Sequence, residues 1–292
     1  MKQNEKVKRI SRAGLARSVG GDIVNFLLLC VIAAFMALPL LYVVSNAFKP
    51  LDEIFVYPPR LYVIHPTVSN FSDLASLMSQ SWIPFSRYIF NSVFVTVVST
   101  FVQILFVSMA AYVLEKREVP GRKGFFKVVV TSLMFSGSVT AVPNYIIMNG
   151  LGMVNTYWAL ILPAIASSMG LFLMKQFVAT SVPTAILEAA RVDGAHELTI
   201  FWRIVMPLVK PAWLTLIIFA FQSIWATNGN GYIYTETLKP LHYALSQVVS
   251  GGVARTGSAA AVSLIMLLPP LAVFIITQSN ILNTMASSGI KE

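Results

Sequence analysis

The chain has 292 residues, of which 56% are hydrophobic and only 11% carry a charge, whereas about a quarter of the residues in a typical soluble domain are charged. This composition excludes an ordinary soluble protein and indicates a membrane protein, and the net charge of +9 does not indicate nucleic-acid binding because the basic residues lie between apolar runs. The single cysteine, Cys30, excludes a disulfide framework and a thiolate metal cluster, so we expect no metal site.

Six apolar runs are long enough to cross a bilayer. The first follows a basic segment, as in a signal peptide, but it is too long for the apolar region of such a peptide. No charged residue occurs between Lys127 and Lys175, and this stretch is too long for one crossing. The segment Asn149 to Thr156 contains two glycines and two asparagines and divides it into the third and fourth spans. The other four spans are Ile23 to Phe48, Tyr88 to Leu114, Pro211 to about Asn228, and about Ala259 to Ser279.

These spans are expected to be helices, because backbone amides in lipid must bond within their own segment and the runs are too long for barrel strands. Lys and Arg concentrate on the cytoplasmic side of membrane proteins. Residues 1–22, 115–127 and 175–210 hold fifteen of them, whereas the three other loops hold five. The sequence therefore predicts an all-α integral membrane protein with six transmembrane helices and both termini in the cytoplasm. We interpret it as a basic cytoplasmic segment, residues 1–22, and one transmembrane domain, residues 23–292.

The long cytoplasmic loop at residues 180–211 has the pattern of a helix, a turn and a second helix. Thr184 to Val192 are mostly good helix formers, and Asp193-Gly194 is a stop-and-turn signal. Glu188, Ala189 and Ala190 would give a slim helix face that carries one carboxylate; the alternative is a surface helix that only links two spans. His196 to Val205 form an amphipathic segment, and Pro207 and Pro211 start the next span. We expect its apolar side to contain Leu198, Phe201, Trp202 and Val205.

This loop resembles the EAA loop of the membrane components of binding-protein-dependent ABC importers. The family pattern is Glu-Ala-Ala, three residues, Gly, nine residues, Ile, one residue and Leu-Pro. The chain has Glu188-Ala189-Ala190, Gly194, Ile204 and Met206-Pro207 at these positions, and Met206 replaces leucine with a side chain of similar volume. The wording EAARVDGA, the Asn91-Ser92 pair and the ending MASSGIKE resemble the carbohydrate-uptake branch, which includes the smaller membrane subunit of the maltose permease.

The resemblance implies a type I ABC importer permease in the cytoplasmic (inner) membrane. Its implied partners are a second, non-identical permease, two ATPase subunits that bind Mg-ATP, and an extracytoplasmic solute-binding protein, whereas this chain binds no cofactor. In the family the loop helix docks into a cleft of the ATPase. The Glu188 carboxylate would meet a basic group there, and Gly194 would allow the tight bend. The implied coupling residues are Glu188, Ala189, Ala190, Asp193, Gly194, Ile204 and Pro207.

Patterns typical of enzymes and of ion-coupled carriers are missing from the sequence. It contains no GxxxxGK[ST] phosphate loop, and its three histidines form no HExxH pair. Its predicted spans lack carboxylates, which disfavours a proton- or sodium-coupled carrier. We therefore expect a transport subunit without catalytic residues, in which a separate subunit hydrolyses ATP. The alternatives are a permease of the same type for a non-sugar solute and a secondary transporter.

Polar and aromatic side chains within the spans could line a sugar path. Gln222 and Trp225 are three residues apart and hence on one helical face, where an amide and an aromatic ring suit sugar hydroxyls and a sugar ring. The alternative is that such side chains only hydrogen-bond between packed helices. The candidates are Gln103, Asn144, Gln222, Trp225 and Asn228.

Overall fold

A computed structural model describes residues 19–80, 82–229 and 231–288 of the chain. The described part is helical and contains no β-strand. Most of the predicted basic segment, residues 1–22, and the last residues of the MASSGIKE ending lie outside the described residues. We call the side of the molecule that holds residues 182–209 the inner face, following the predicted orientation. The opposite side is the outer face.

The helices follow one another through short connections. Short 3-10 segments lie at Glu236–Leu238 and Val253–Arg255, and a π-helical segment lies at Phe201–Val205. We name residues 182–209, which contain α9 to α11, the α9–α10 loop. The helices are α1 (Val19–Phe48), α2 (Leu51–Ile54), α3 (Ser69–Ser79), α4 (Phe85–Lys116), α5 (Arg122–Ser132), α6 (Gly137–Gly150), α7 (Trp158–Ile165), α8 (Ser168–Ser181), α9 (Thr184–Val192), α10 (Glu197–Ile200), α11 (Met206–Leu208), α12 (Lys210–Trp225), α13 (Leu241–Val249) and α14 (Thr256–Ser288).

Four helical stretches are long and apolar enough to cross a membrane: Gly20–Phe48, Phe85–Lys116, Trp158–Ser181 and Thr256–Gln278. Two bent pairs of helices bring the number to six if each pair is one span. The third span predicted from the sequence corresponds to helices α5 and α6, between which the chain bends by 116°. Ser136 causes this bend, because its extended backbone (φ −74°, ψ 152°) separates the two helices. The second pair, residues 197–208 and α12, meets at 80°.

The predicted break at Asn149–Thr156 is confirmed, since α6 ends at Gly150 and α7 begins at Trp158. The fourth span extends beyond its expected end at Lys175 to Ser181 and is interrupted between α7 and α8. Ser167 lies at this interruption in an extended conformation, and its hydroxyl accepts a hydrogen bond from the amide of Gly170 at 3.0 Å.

Carboxylates are not entirely absent from the long helices. Glu115 lies in the last turn of α4, one residue beyond the predicted end of the second span. Its carboxylate accepts a 2.6 Å hydrogen bond from Lys175, whose ammonium group also lies 4.4 Å from the centre of the Phe126 ring. The charge is thus paired near the inner face, where long side chains reach water.

Two loops between the predicted spans contain helices of their own. In the loop between α1 and α4, α3 buries Asn70 and Leu74. The Asn70 amide donates to the main-chain carbonyls of Ala47 and Lys49 at 3.0 and 2.8 Å, which fixes α3 against the end of α1. In the loop before α14, α13 buries one apolar face, namely Leu241, Ala244, Leu245 and Val248.

Helix α4 forms the centre of the fold, where it packs against α7, α8 and α12. Its buried face is mostly polar and includes Asn91, Ser92, Thr96, Ser99 and Gln103. In contrast, α1 contacts mainly α14 and leaves its apolar side chains exposed, as lipid or another protein would require.

Candidate functional site: the α9–α10 loop

Helix α9 exposes the acidic and small side chains that the sequence singled out. Leu187 is fully buried in the cluster that also holds residues of α4 and α8, and Ala190 packs at the edge of this cluster. Glu188 and Ala189, on the other side of the helix, are exposed. The helix therefore presents one carboxylate beside the methyl group of Ala189.

The turn after α9 requires a glycine. Gly194 has φ +77°, the left-handed conformation that the sequence predicts there. The amide of Ala195 donates to the carbonyl of Ala190, and that of Gly194 to the carbonyl of Arg191, both at 3.0 Å. This pair of bonds is a Schellman motif, in which the left-handed residue directly follows the C-cap, here Asp193. Asp193 and Gly194 are both exposed.

The segment after the turn differs from the amphipathic helix predicted from the sequence. Phe201 and Val205 are buried as expected, but Leu198 and Trp202 are 64% and 51% exposed, and Ile200 takes the buried position. The cause is the π-helical turn at 201–205, because i→i+5 bonding changes which residues share a face. Ile204, within this turn, is half-buried, and Pro207, beyond it, is exposed.

A junction around the Glu197 carboxylate fixes the loop to the rest of the fold. One carboxylate oxygen, Oε2, accepts a 2.7 Å hydrogen bond from the buried hydroxyl of Tyr112 in α4. The other oxygen accepts from Arg191 Nε at 3.0 Å and lies 3.1 Å from Arg117 Nη1. The first turn of α10 is thereby connected to α9, to α4 and to Arg117, the residue that follows α4.

The junction keeps Glu197 ionised. Burial raises the pKa of this carboxyl group, but hydrogen bonds from Tyr112 and Arg191 and the charges of Arg117 and Arg191 outweigh burial and leave the pKa below its ordinary value. The hydrogen bond with Glu197 likewise raises the pKa of Arg191. Sequence reasoning missed these four residues, since only their tertiary proximity reveals the junction; the local signal was an acidic residue in the first turn of a helix.

The exposed surface of the α9–α10 loop carries apolar as well as acidic side chains. In α9, the helix of Glu188, Val192 is 88% and Ile186 45% exposed, and Leu198 and Trp202 are exposed in the segment that follows the turn. An acidic group within an exposed apolar patch is suited to a cleft that has apolar walls and a basic group.

The structure separates the candidate path residues. Gln103 is buried in α4 and lines a cleft between helices. Trp225 is only 7% exposed, and its indole N–H donates to the carbonyl of Met266 at 3.2 Å. Gln222 is exposed, whereas the Trp225 indole turns toward α14, so the two side chains have different surroundings although they are three residues apart in α12. Asn144 and Asn228 are half-buried and lie outside the cleft that contains Gln103.

The Asn91-Ser92 pair connects α4 to the outer loop that precedes α13. The Asn91 amide donates to the carbonyls of Thr237 and Lys239 at 2.9 and 2.8 Å, and Ser92 accepts from the amide of Leu241 at 2.7 Å. Polar side chains at the outer end of α4 thus form hydrogen bonds with main-chain carbonyl and amide groups of this loop and of the first residue of α13.

No family model matches the chain. It is 34% identical to Protein LplC of Bacillus subtilis over 78% of its length and 75% of the relative's length. It is 31% identical to the polygalacturonan/rhamnogalacturonan transport system permease protein YtcP of the same species, over 78% of this chain and 76% of the relative. It is 32% identical to YurM, a probable ABC transporter permease protein of Bacillus subtilis, over 91% of this chain and 87% of the relative.

The fold is similar to a chain of a bacterial ABC transporter involved in the import of the acidic polysaccharide alginate, with a TM-score of 0.74 and 22% identity over 88% of this chain and 95% of that one. A second match, with a TM-score of 0.57 and 16% identity over 87% and 92%, is to the alginate transporter in complex with a periplasmic protein bound to an alginate pentasaccharide. This multi-pass membrane protein belongs to the family of ABC transporter permeases, in the branch of carbohydrate transport systems.

Proposed function

We propose that the chain is a membrane permease subunit of an ATP-driven carbohydrate importer and that the α9–α10 loop couples it to an ATPase subunit. It would lie in the cytoplasmic membrane with the loop in the cytoplasm. A second, non-identical permease would complete the translocation path, two ATPase subunits would bind Mg-ATP, and an extracytoplasmic solute-binding protein would deliver the carbohydrate. The chain itself would bind no cofactor.

The observation that carries this proposal is the exposed acidic face of α9 beside the Gly194 turn. Glu188 and Ala189 point away from the core, while Leu187 and the Glu197 junction hold the helix rigidly from behind. A cleft of the ATPase that closes around this face would push against α4 through Glu197 and Tyr112. Asp193, Gly194, Ile204 and Pro207 would set the direction of the helix rather than contact the partner with large side chains.

The names of the relatives support the carbohydrate assignment. They include a polygalacturonan/rhamnogalacturonan permease and the arabinooligosaccharide permease AraQ of Halalkalibacterium halodurans, which is 31% identical over 69% of this chain. The periplasmic protein in the alginate transporter complex supports a binding protein as partner.

Two substitutions test the coupling role. Glu188→Lys places a like charge against a basic cleft and costs several kcal/mol of docking energy if the contact is desolvated. Gly194→Val forces a β-branched residue into the left-handed region, at roughly 1–2 kcal/mol. We expect each variant to abolish uptake and substrate-stimulated ATP hydrolysis, although the chain still inserts into the membrane. The measurement is the amount of ATPase copurified with the complex, together with transport in vesicles.

Matched variants control for charge and for glycine replacement. Glu118→Lys reverses an exposed carboxylate in the neighbouring inner loop, and Gly124→Val adds a side chain where a Cβ meets no atom within 4 Å and φ is not positive. Both should transport normally. Normal transport by the Glu188→Lys, Gly194→Val double variant would show that the loop is only a connector.

A further inference from the structure

Helices α4, α7, α8 and α12 surround a cleft of about 630 Å³, a volume within the range of about 300–1,000 Å³ typical of small-molecule sites. The break between α7 and α8 widens it, because Ser167 and Gly170 carry small or no side chains there. Sixteen residues line the cleft, among them Gln103, Ser223, Thr227, Phe219 and Tyr232.

The deep wall of the cleft carries a buried amide. Gln103 is 7% exposed and lies near the middle of α4, 18 residues from its first residue and 13 from its last. Its Nε2 is 3.5 Å from the point where a Cβ on Gly170 would stand, so the absence of a side chain at Gly170 leaves room in front of the amide. A polar group at this depth within a mostly apolar lining is typical of a binding or transport path.

Hydroxyl and aromatic groups also line the cleft toward the outer face. Ser223 is exposed and Thr227 half-buried, and both lie at the outer end of α12 or just beyond it. Tyr232 stands in the adjoining outer loop, where its carbonyl accepts a 2.7 Å hydrogen bond from the amide of Asn155. Phe219 is 51% exposed, so an aromatic face is available beside these hydroxyls.

The lining is mostly apolar, and its polar side chains are uncharged. None of its sixteen residues is Asp, Glu, Lys, Arg or His. The Gln amide and the Ser, Thr and Tyr hydroxyls both donate and accept, as sugar hydroxyls do, and an aromatic face suits the apolar face of a sugar ring. A carboxylate in this cleft would lose its water without gaining a cation, which is costly.

We propose that this cleft binds an uncharged sugar unit of the transported carbohydrate. Gln103, Ser223 and Thr227 bond the sugar hydroxyls, and Phe219 or Tyr232 stacks on the ring. The proposal rests on the proposed function and deepens it, since the relatives include permeases named for acidic and for neutral carbohydrates. It also places the contact on the cleft side of α12 and not at Gln222 and Trp225.

Two neighbouring residues of α12 provide a matched test. Ser223 and Gln222 are both exposed, but only Ser223 lines the cleft. Ser223→Trp fills the cleft without displacing a buried side chain, and Gln222→Trp adds the same bulk outside it. The complex with its partner permease, ATPase and binding protein is reconstituted into vesicles. The probes are labelled neutral arabino-, xylo- and malto-oligosaccharides and labelled oligogalacturonate.

We expect the wild-type complex to take up a neutral oligosaccharide and not oligogalacturonate. Ser223→Trp should lower this uptake about tenfold or more, which corresponds to about 1.4 kcal/mol, while Gln222→Trp stays close to wild type. Gln103→Leu and Thr227→Val remove hydrogen bonds without adding bulk and should raise the KM for uptake. Copurification of the partner subunits with each variant separates this effect from a failure to assemble.

Each of the alternative results would contradict a different part of the proposal: the uncharged class of substrate, the position of the site or the proposed function. Uptake of oligogalacturonate alone would overturn the uncharged class, and wild-type uptake by Ser223→Trp, Gln103→Leu and Thr227→Val would overturn the site while leaving the carbohydrate importer intact. Loss of uptake in Gln222→Trp but not in Ser223→Trp would favour the Gln222 face. ATP-dependent transport of none of the saccharides would contradict the proposed function itself.

Discussion

Tyr112→Phe removes one hydroxyl group from the junction between α4 and the α9–α10 loop and changes nothing else in shape. Tyr112 is 4% exposed, and its hydroxyl donates at 2.7 Å to Glu197. A hydrogen bond to a charged group contributes about 1.5–3 kcal/mol. The Glu197 side chain is 38% exposed and keeps its two arginine partners, so the lower end applies, about 1.5 kcal/mol. This loss corresponds to a fall of about 3–6 °C in Tm for a chain of this size.

The assay is thermal unfolding of the purified complex in detergent, with Tyr112→Phe and Glu197→Gln made singly and together. If the two groups interact as the structure shows, the double variant loses less stability than the sum of the two single variants. Tyr234→Phe is the matched control, because its hydroxyl is on an exposed residue and should cost less than about 0.5 kcal/mol. Strictly additive losses, or an equal loss in Tyr234→Phe, would refute the reasoning.

Three further predictions concern the same chain. The pKa of Glu197 is lowered in the folded state, so this group stabilises the fold above its ordinary pKa of about 4.5 and loses that effect as the pH falls through the lower folded value. The difference in Tm between wild type and Glu197→Gln should therefore be constant near neutral pH and shrink below about pH 4.5. A difference that grows at low pH would contradict this sign. In a cysteine-free variant in intact cells, Arg122→Cys and His196→Cys should not react with an impermeant thiol reagent, whereas Trp82→Cys, at a fully exposed residue of the outer face, should react. Labelling of His196→Cys would contradict the predicted orientation. Trp225→Ala should lower the yield of assembled complex, because removing a buried indole costs about 3–5 kcal/mol; normal assembly with reduced transport would instead indicate a substrate contact.

The sequence predicts those features that depend on neighbouring residues. Charge-free runs locate the long helices, because lipid tolerates few ionised groups anywhere along a span. The limits of α9 and the left-handed turn at Gly194 follow from helix propensity and from the special backbone freedom of glycine. These are local properties, and each was predicted to within a few residues.

The remaining features depend on contacts between distant segments. The bend at Ser136 and the π turn at 201–205 alter helix direction without a proline at either place. The Glu197 junction joins groups up to 85 residues apart, and no spacing rule connects Tyr112 to it. The cleft around Gln103 likewise exists only where four helices meet, so the sequence identified its amide but not the hydroxyls of Ser223 and Thr227 opposite.

Helix α4 holds polar connections at both of its ends and is built as a stiff rod between them. It contains neither glycine nor proline, whereas the other two long helices, α1 with 30 residues and α14 with 33, contain prolines. Asn91 and Tyr112 are about 32 Å apart along its axis at a rise of about 1.5 Å per residue. A displacement of the α9–α10 loop that moves Tyr112 therefore moves Asn91 and the outer loop attached to it by a similar amount. The two surfaces of the protein, one facing each side of the membrane, cannot shift independently while these hydrogen bonds persist.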